Sequence, residues 1–245
     1  MRPDEYATMF RVEETHWWYR SLHRLMFQAL EMEMPDWRNK AIVDVGCGTG
    51  AILQRLGNPE KNVGVDISPV AISFCRNRGL NNVREADIVS MPFADESFDA
   101  AICSSVLYHE WVGDVGRALR EIRRVLRPTG VLLINVPAFQ FLHSAHDDAV
   151  MTARRFRKPE LRELLVRNGF AIRRLTYWTT LLFPLALIAR TFGGSRMGRD
   201  FDLDKDSFVQ NLFLKVMGLE AGLLRKISLP FGVALLAVAE TRGAT

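Results

Sequence analysis

Residues 141–150 read FLHSAHDDAV, with His143 and His146 three apart and Asp147 and Asp148 directly behind them. Three chemistries fit that spacing. Two imidazoles on one helical face can ligate a metal, an imidazole steered by a carboxylate can act as a general base, and the same residues can form a solvated or substrate-contacting loop. Metal binding needs three or four ligands, and the further candidates, His109, His16 and His23, belong to other segments, so no metal site is assigned. As a base, His143 or His146 would take the proton of an acceptor, because imidazole titrates near neutrality, and Asp147 would fix its tautomer. The choice depends on where the fold puts this loop.

A second stretch has chemistry of its own. VDVGCGTG at 43–50 stands where a strand gives way to a helix. Glycines there let the backbone turn sharply and approach a ligand, and the helix start offers it unpaired N–H groups. The spacing is G-x-G-x-G rather than the dinucleotide fingerprint, which leaves less room for a pyrophosphate. Asp66 closes the next strand, where a carboxylate can accept both hydroxyls of a ribose. Asp87 follows the third, where it can accept from an exocyclic amine. Together they outline a nucleoside site.

The elements that must position these residues alternate between strand and helix for more than a hundred residues, which implies a mostly parallel sheet covered by helices on both faces. Strands are expected at 41–45, 62–66, 82–86, 98–104, 130–136, 170–178 and 231–240, with helices between them, clearest at 114–126 and 159–168. Upstream, residues 14–30 read as one amphipathic helix. Trp18, Leu22, Leu25 and Ala29 share a face, while His16, Arg20 and His23 share another. A net charge of +4 is too small for a dedicated nucleic-acid surface. Cys47, Cys75 and Cys103 are odd in number and lack metal-type spacing, so free thiols in a reducing compartment are expected. No secretory signal is apparent at the N-terminus. The longest apolar stretch, before Arg190, is shorter than a membrane span and contains Pro184. The expected location is the cytoplasm, with contact to the inner membrane face left open.

VDVGCGTG, then GVDIS at 64–68, EADIVSMPFADESFDAAIC at 85–103 and REIRRVLRPTGVLLI at 120–134, resemble class I S-adenosylmethionine-dependent methyltransferases of the methyltransferase type 11 group. The resemblance runs from about residue 40 to 136 with the motifs in order. It implies a Rossmann-like seven-stranded α/β domain with S-adenosyl-L-methionine as cofactor. Asp44, Gly46, Gly48 and Gly50 would line the cofactor's amino-acid end, Asp66 would hold the ribose, Ile67 would pack on the adenine, Asp87 and Ile88 would bind it, and Ser104 would sit beside the methionine portion. HWWYRSLHR, SAHDDAV, RRF and LPFGVALLAVAE are similar to a bacterial subgroup of these enzymes. The chain departs from that subgroup at Met151–Ala153, where a glycine and an aromatic residue are expected, which puts the shape of this loop in question.

In an open parallel sheet, ligands bind beyond the carboxyl ends of the strands. The loop at 137–157 follows the fifth strand, so FLHSAHDDAV belongs on the ligand face. His109, after strand four, is a further candidate for packing, cofactor contact or substrate contact. From the N-terminal helix, Tyr19 and Arg20 would close over the cofactor. Trp17 and Trp18 point about 100° apart, so one could enter the core while the other faces the site. Tyr177, near the end of strand six, is a candidate acceptor contact. Similar enzymes usually join strands six and seven by a tight hairpin, whereas here 179–230 intervene, with Phe208, Leu212, Lys215 and Leu219 at helical spacing. That insertion is expected to roof the acceptor pocket, with a dimer contact or a bilayer contact as alternative roles.

The expectation is thus a single domain, 1–245: an N-terminal helical lid (1–39), a cofactor-binding core (40–136) and a substrate-side half (137–245). It would transfer a methyl group to oxygen, nitrogen or carbon of a small, partly apolar or lipid-linked acceptor. A nicotinamide-dependent oxidoreductase is disfavoured by the glycine spacing and Asp87. Nucleic-acid methylation is disfavoured by the small charge and by the lack of an N/D-P-P-Y/F motif after strand four. A cofactor-binding partner protein without catalysis remains an alternative.

Overall fold

The computed structural model describes residues 1–192 and 208–242; the middle of the insertion, 193–207, lies outside them. The chain opens with α1 (Pro3–Val12) and α2 (Trp17–Glu33). The single helix expected over 14–30 is thus α2 alone, preceded by a helix that the expectation lacked. The break has a local cause, since His16 caps α2 by accepting the Trp18 N–H on Nδ1 at 3.3 Å. Start signals for α1 stand in the sequence: Pro3 at its first position, with Asp4 and Glu5 in the first turn.

Then follow β1 (Ile42–Val45), α3 (Ala51–Leu56), β2 (Val63–Asp66), α4 (Pro69–Asn77), β3 (Val83–Glu85), β4 (Phe98–Ser104), α5 (Val115–Val125) and β5 (Leu126–Pro137). The substrate-side half adds the short α6 (Ala145–Ala149), α7 (Lys158–Arg167), β6 (Phe170–Trp178), α8 (Phe183–Phe192), α9 (Phe208–Leu224) and β7 (Ala234–Thr241). All seven expected strands form, in the order β3-β2-β1-β4-β5-β7-β6. The strands from β3 to β5 pair in parallel, and β7 runs antiparallel between β5 and β6. Pro137 and Trp178 both pair with Ala234, so β5 and β6 end on the same edge.

Strand alternation splits the core between the two faces of the sheet. Val43, Val45, Ala101 and Cys103 join the buried faces of α5 and α7, whereas Ile42, Ala100 and Ile102 join Leu22, Met26 and Leu30 of α2. Helix α9 completes that second layer. Its Met217 and Leu224 pack into the same cluster as Trp178, and Gln28 of α2 donates to the Ala221 carbonyl at 2.7 Å. The stripe Phe208, Leu212, Lys215 and Leu219 faces outward; the buried side of α9 is Gln210, Met217, Glu220, Ala221 and Leu224. Among the described residues no helix is long and apolar enough to cross a membrane.

Candidate cofactor and acceptor site

At the carboxyl edge of the sheet, the β1–α3 turn reverses the chain through Gly46, Gly48 and Gly50, all at positive φ. At Gly46 the need for glycine is double: φ is +70° and a Cβ would lie 2.3 Å from Val106. Asp66, at the tip of β2, ties this turn to its own strand. One carboxylate oxygen accepts the Gly48 N–H and the other the Ser68 N–H, both at 2.9 Å. Burial nonetheless raises its pKa above the carboxylate norm.

A cavity opens above this turn. It is lined by Asp44, Gly46, Gly48, Asp66, Ile67, Asp87, Ile88 and Ser104, and at its other end by Ser105, Tyr108, His109, Trp111, His146 and Val150. Three of the chain's four tyrosines (Tyr6, Tyr19, Tyr108) and three of its five histidines (His23, His109, His146) face it. Asp44 is 2% exposed, one of its oxygens has no hydrogen-bond partner, and burial followed by the proximity of Asp66 pushes its pKa to about 8. His109 moves the other way, to about 4, chiefly through burial, so it is neutral at physiological pH. Its Nδ1 and the Ser104 hydroxyl are also buried without a partner. Ser105 has φ +63°, and its hydroxyl accepts from the Asn135 amide, whose oxygen takes the Trp178 indole N–H at 2.8 Å. A polar chain thus braces the backbone beside the cavity.

The roof comes from the N-terminal segment. Tyr6, Met9 and Glu13 from α1 and its end, with Trp18, Tyr19, Leu22 and His23 from α2, line the cavity. A buried ion pair holds them down: Glu13 pairs with Arg78 beyond α4 and accepts from the Thr49 hydroxyl, while the Arg78 Nε donates to the Thr49 carbonyl at 2.7 Å. None of these latch residues figured in the expectation. No described residue of 179–230 lines the cavity, and the part of the expected roof that falls on 193–207 lies outside the described residues. Helix α9 has its apolar inner side committed to α2 instead.

Several expected contacts also fall elsewhere. Arg20 is exposed, and Gly50 sits behind the turn, where a Cβ would meet Leu80 and Cys75. Trp17 and Trp18 both pack against the second core layer, Trp17 on Phe213 of α9 and Trp18 on Trp178, and Trp18 also lines the cavity. Tyr177 is buried, stacked on Phe139 at 5.0 Å, and its hydroxyl accepts the Lys158 N–H. In FLHSAHDDAV, only His146 and Val150 line the cavity. His143 lies 3.7 Å from Asp148. Asp147 is buried, with one oxygen on Arg155 at 2.6 Å and the other accepting the Ser144 N–H at 2.9 Å and its hydroxyl at 3.1 Å. Its carboxylate thus belongs to the loop's own framework, a role that spacing alone did not separate from imidazole orientation. Within Met151–Ala153, where a glycine and an aromatic residue were expected, Met151 has φ +57°, a left-handed conformation that a residue other than glycine adopts here. Among the described residues no group of three or more His, Cys, Asp or Glu side chains could hold a metal ion.

The cavity has what a nucleoside with an amino-acid tail requires: a carboxylate for hydroxyls at Asp66, one for an exocyclic amine at Asp87, a carboxyl oxygen without a partner at Asp44, and a glycine turn that a side chain would fill. Combined with a sheet whose seventh strand is antiparallel, these define the class I S-adenosylmethionine-dependent methyltransferases. Residues 43–134 match the methyltransferase domain family, so this segment of the chain carries a domain of that kind. A Mus musculus protein named as a probable tRNA methyltransferase is 36% identical over 100 residues, 40% of this chain and 22% of that one. A Mycobacterium tuberculosis protein named as a probable S-adenosylmethionine-dependent methyltransferase is 28% identical over 159 residues, 63% of this chain and 56% of that one. The chain therefore spans between about a fifth and just over half of these relatives' lengths. In fold it is similar to the methyltransferase solved with the Haloferax volcanii Trm112 activator, with a TM-score of 0.64, 19% identity, and coverage of 99% of this chain and 96% of that one.

Proposed function

We propose that the chain transfers a methyl group from S-adenosylmethionine to oxygen, nitrogen or carbon of a small, partly apolar acceptor, free or lipid-linked. The observation that carries this reading is the single cavity joining Asp44, Asp66 and Asp87 at one end to Tyr108, His109, Trp111 and His146 at the other. The cofactor supplies an electrophilic methyl on a sulfonium. Asp66 and Asp87 accept hydrogen bonds from its nucleoside, and the Asp44 carboxyl faces its amino-acid end. Tyr6, Met9 and Tyr19 exclude water from above, which strengthens each polar contact beneath them. Trp111, 49% exposed at the mouth, gives the acceptor a flat apolar wall. His146 lies in the same cavity and takes the acceptor's proton, while neutral His109 offers an acceptor lone pair.

Among the described residues no Lys or Arg side chain lines the cavity, which favours a small acceptor over a phosphate-rich nucleic acid at the site itself. The test is calorimetry of the parent and Asp66→Asn with S-adenosylmethionine, beside a labelled-methyl screen of cell extract. Losing one carboxylate oxygen should weaken binding by ~1–3 kcal/mol, roughly tenfold to a hundredfold, with the fold intact. Unchanged affinity would refute the ribose assignment. Tight binding with no labelled product would favour the non-catalytic partner reading.

A further inference from the structure

Ten of the fifteen large apolar side chains left exposed among the described residues lie between Leu181 and Phe231. The densest set runs along α9. Phe208, Leu212, Leu219 and Leu223 recur at steps of four, seven and four, which puts them on one side of the helix, opposite Met217 and Leu224. Phe208 is 81% and Leu219 69% exposed, so this side is not a core face with a ragged edge. Lys215 stands within the same stripe, and exposed Arg225, Lys226 and Ile227 continue it past the helix end.

The charge around the stripe is one-sided. Glu220 is the only acidic residue in 179–192 and 208–231, and it is fully buried, accepting the Leu181 N–H at 2.8 Å. The intervening 193–207 is nearly neutral, with three basic and four acidic residues. An apolar strip studded with cations, whose described residues include no exposed carboxylate, suits a partner that is apolar inside and anionic outside. A second copy fits less well, because a contact closing over the stripe would bury Lys215 and its neighbours Arg225 and Lys226 beside apolar side chains, with no exposed carboxylate among the described residues of the insertion to pair them. Nor can the stripe be the inner wall of the acceptor site, since no described residue of the insertion lines the cavity.

We infer that the outer face of α9 docks on an anionic lipid bilayer, lying in the interface with its leucines among the acyl chains. Lys215, Arg225 and Lys226 extend their apolar stems along the helix and place their charges at the headgroups. The inference stands on the surface and holds whichever acceptor is methylated.

Vesicle flotation of the full chain tests it, with phosphatidylcholine alone and with phosphatidylcholine containing phosphatidylglycerol. The chain should float with the anionic vesicles and be released as salt is raised. Leu219→Glu with Leu223→Glu should abolish flotation, and Lys215→Gln and Lys226→Gln should each weaken it roughly fivefold. Cofactor calorimetry on the same variants should match the parent, which shows that surface rather than fold was lost. Absence of flotation, or flotation indifferent to phosphatidylglycerol, overturns the inference. So does a concentration-dependent dimer of the parent that the leucine variants dissolve while no vesicle binding is seen.

Discussion

Asp44 keeps its proton when most carboxyls have lost theirs. In the unfolded chain it ionises near pH 4, whereas in the folded, cofactor-free protein burial and Asp66 hold it protonated to about pH 8. Across that window the folded state binds the extra proton, so this residue's contribution to stability falls as pH rises and is fully lost above about 8. Asp44→Asn should therefore flatten the decline of Tm between about pH 4 and 8 and should melt above the parent at the alkaline end. Thermal denaturation of the cofactor-free protein across pH measures this; parallel profiles for the two proteins would contradict it. His146→Ala should lower turnover by about two to four orders of magnitude with cofactor affinity unchanged. A rise in KM at constant kcat would instead make His146 part of the acceptor rim. Asp44, Asp66 and Asp87 were legible because strand ends and glycine turns fix their direction locally. Tyr177 and Asp147 were not, because their directions depend on partners outside their own elements, Phe139 on the loop after β5 for Tyr177 and Arg155, eight residues on, for Asp147.

At the scale of elements, α9 is both outer surface and inner support. A helix that is apolar on both sides leaves its orientation undetermined by periodicity, which is why Phe208, Leu212 and Leu219 could be found without revealing that they face outward. What settles it is the site across from it: Leu22, Met26 and Trp178 are matched by Met217 and Leu224. Replacing 179–230 with a short turn should accordingly destabilise the whole domain. Each large buried side chain lost costs ~1.5–3 kcal/mol against a usual total of about 5–15, so low solubility and a sharply reduced Tm are expected. A soluble, fully cooperative deletion variant that still bound cofactor would show that α9 is an accessory. Helix α1 was missed for a different reason. Its single buried residue, Tyr6, gives no apolar repeat, and only the Pro3, Asp4 and Glu5 start signals speak for it.

At the scale of the molecule, the sheet supplies the floor of the cavity and the first 23 residues supply its cover, while the insertion occupies the side of the second layer. The positions of the seven strands along the chain were readable because each is a short apolar run punctuated by turn residues. The division of labour between cover and insertion was not, because either segment could have reached the carboxyl edge. The tie among Glu13, Thr49 and Arg78 has a consequence for time as well as for shape. Since Thr49 belongs to the glycine turn itself, the cover cannot lift without disturbing the turn proposed to meet the cofactor, and whatever steadies the turn steadies the cover. The backbone amides of α1 should therefore act as a remote clock for the site. Their exchange with deuterated solvent should slow together when S-adenosylmethionine is added, by a common factor set by occupancy, and Arg78→Met should uncouple them from it.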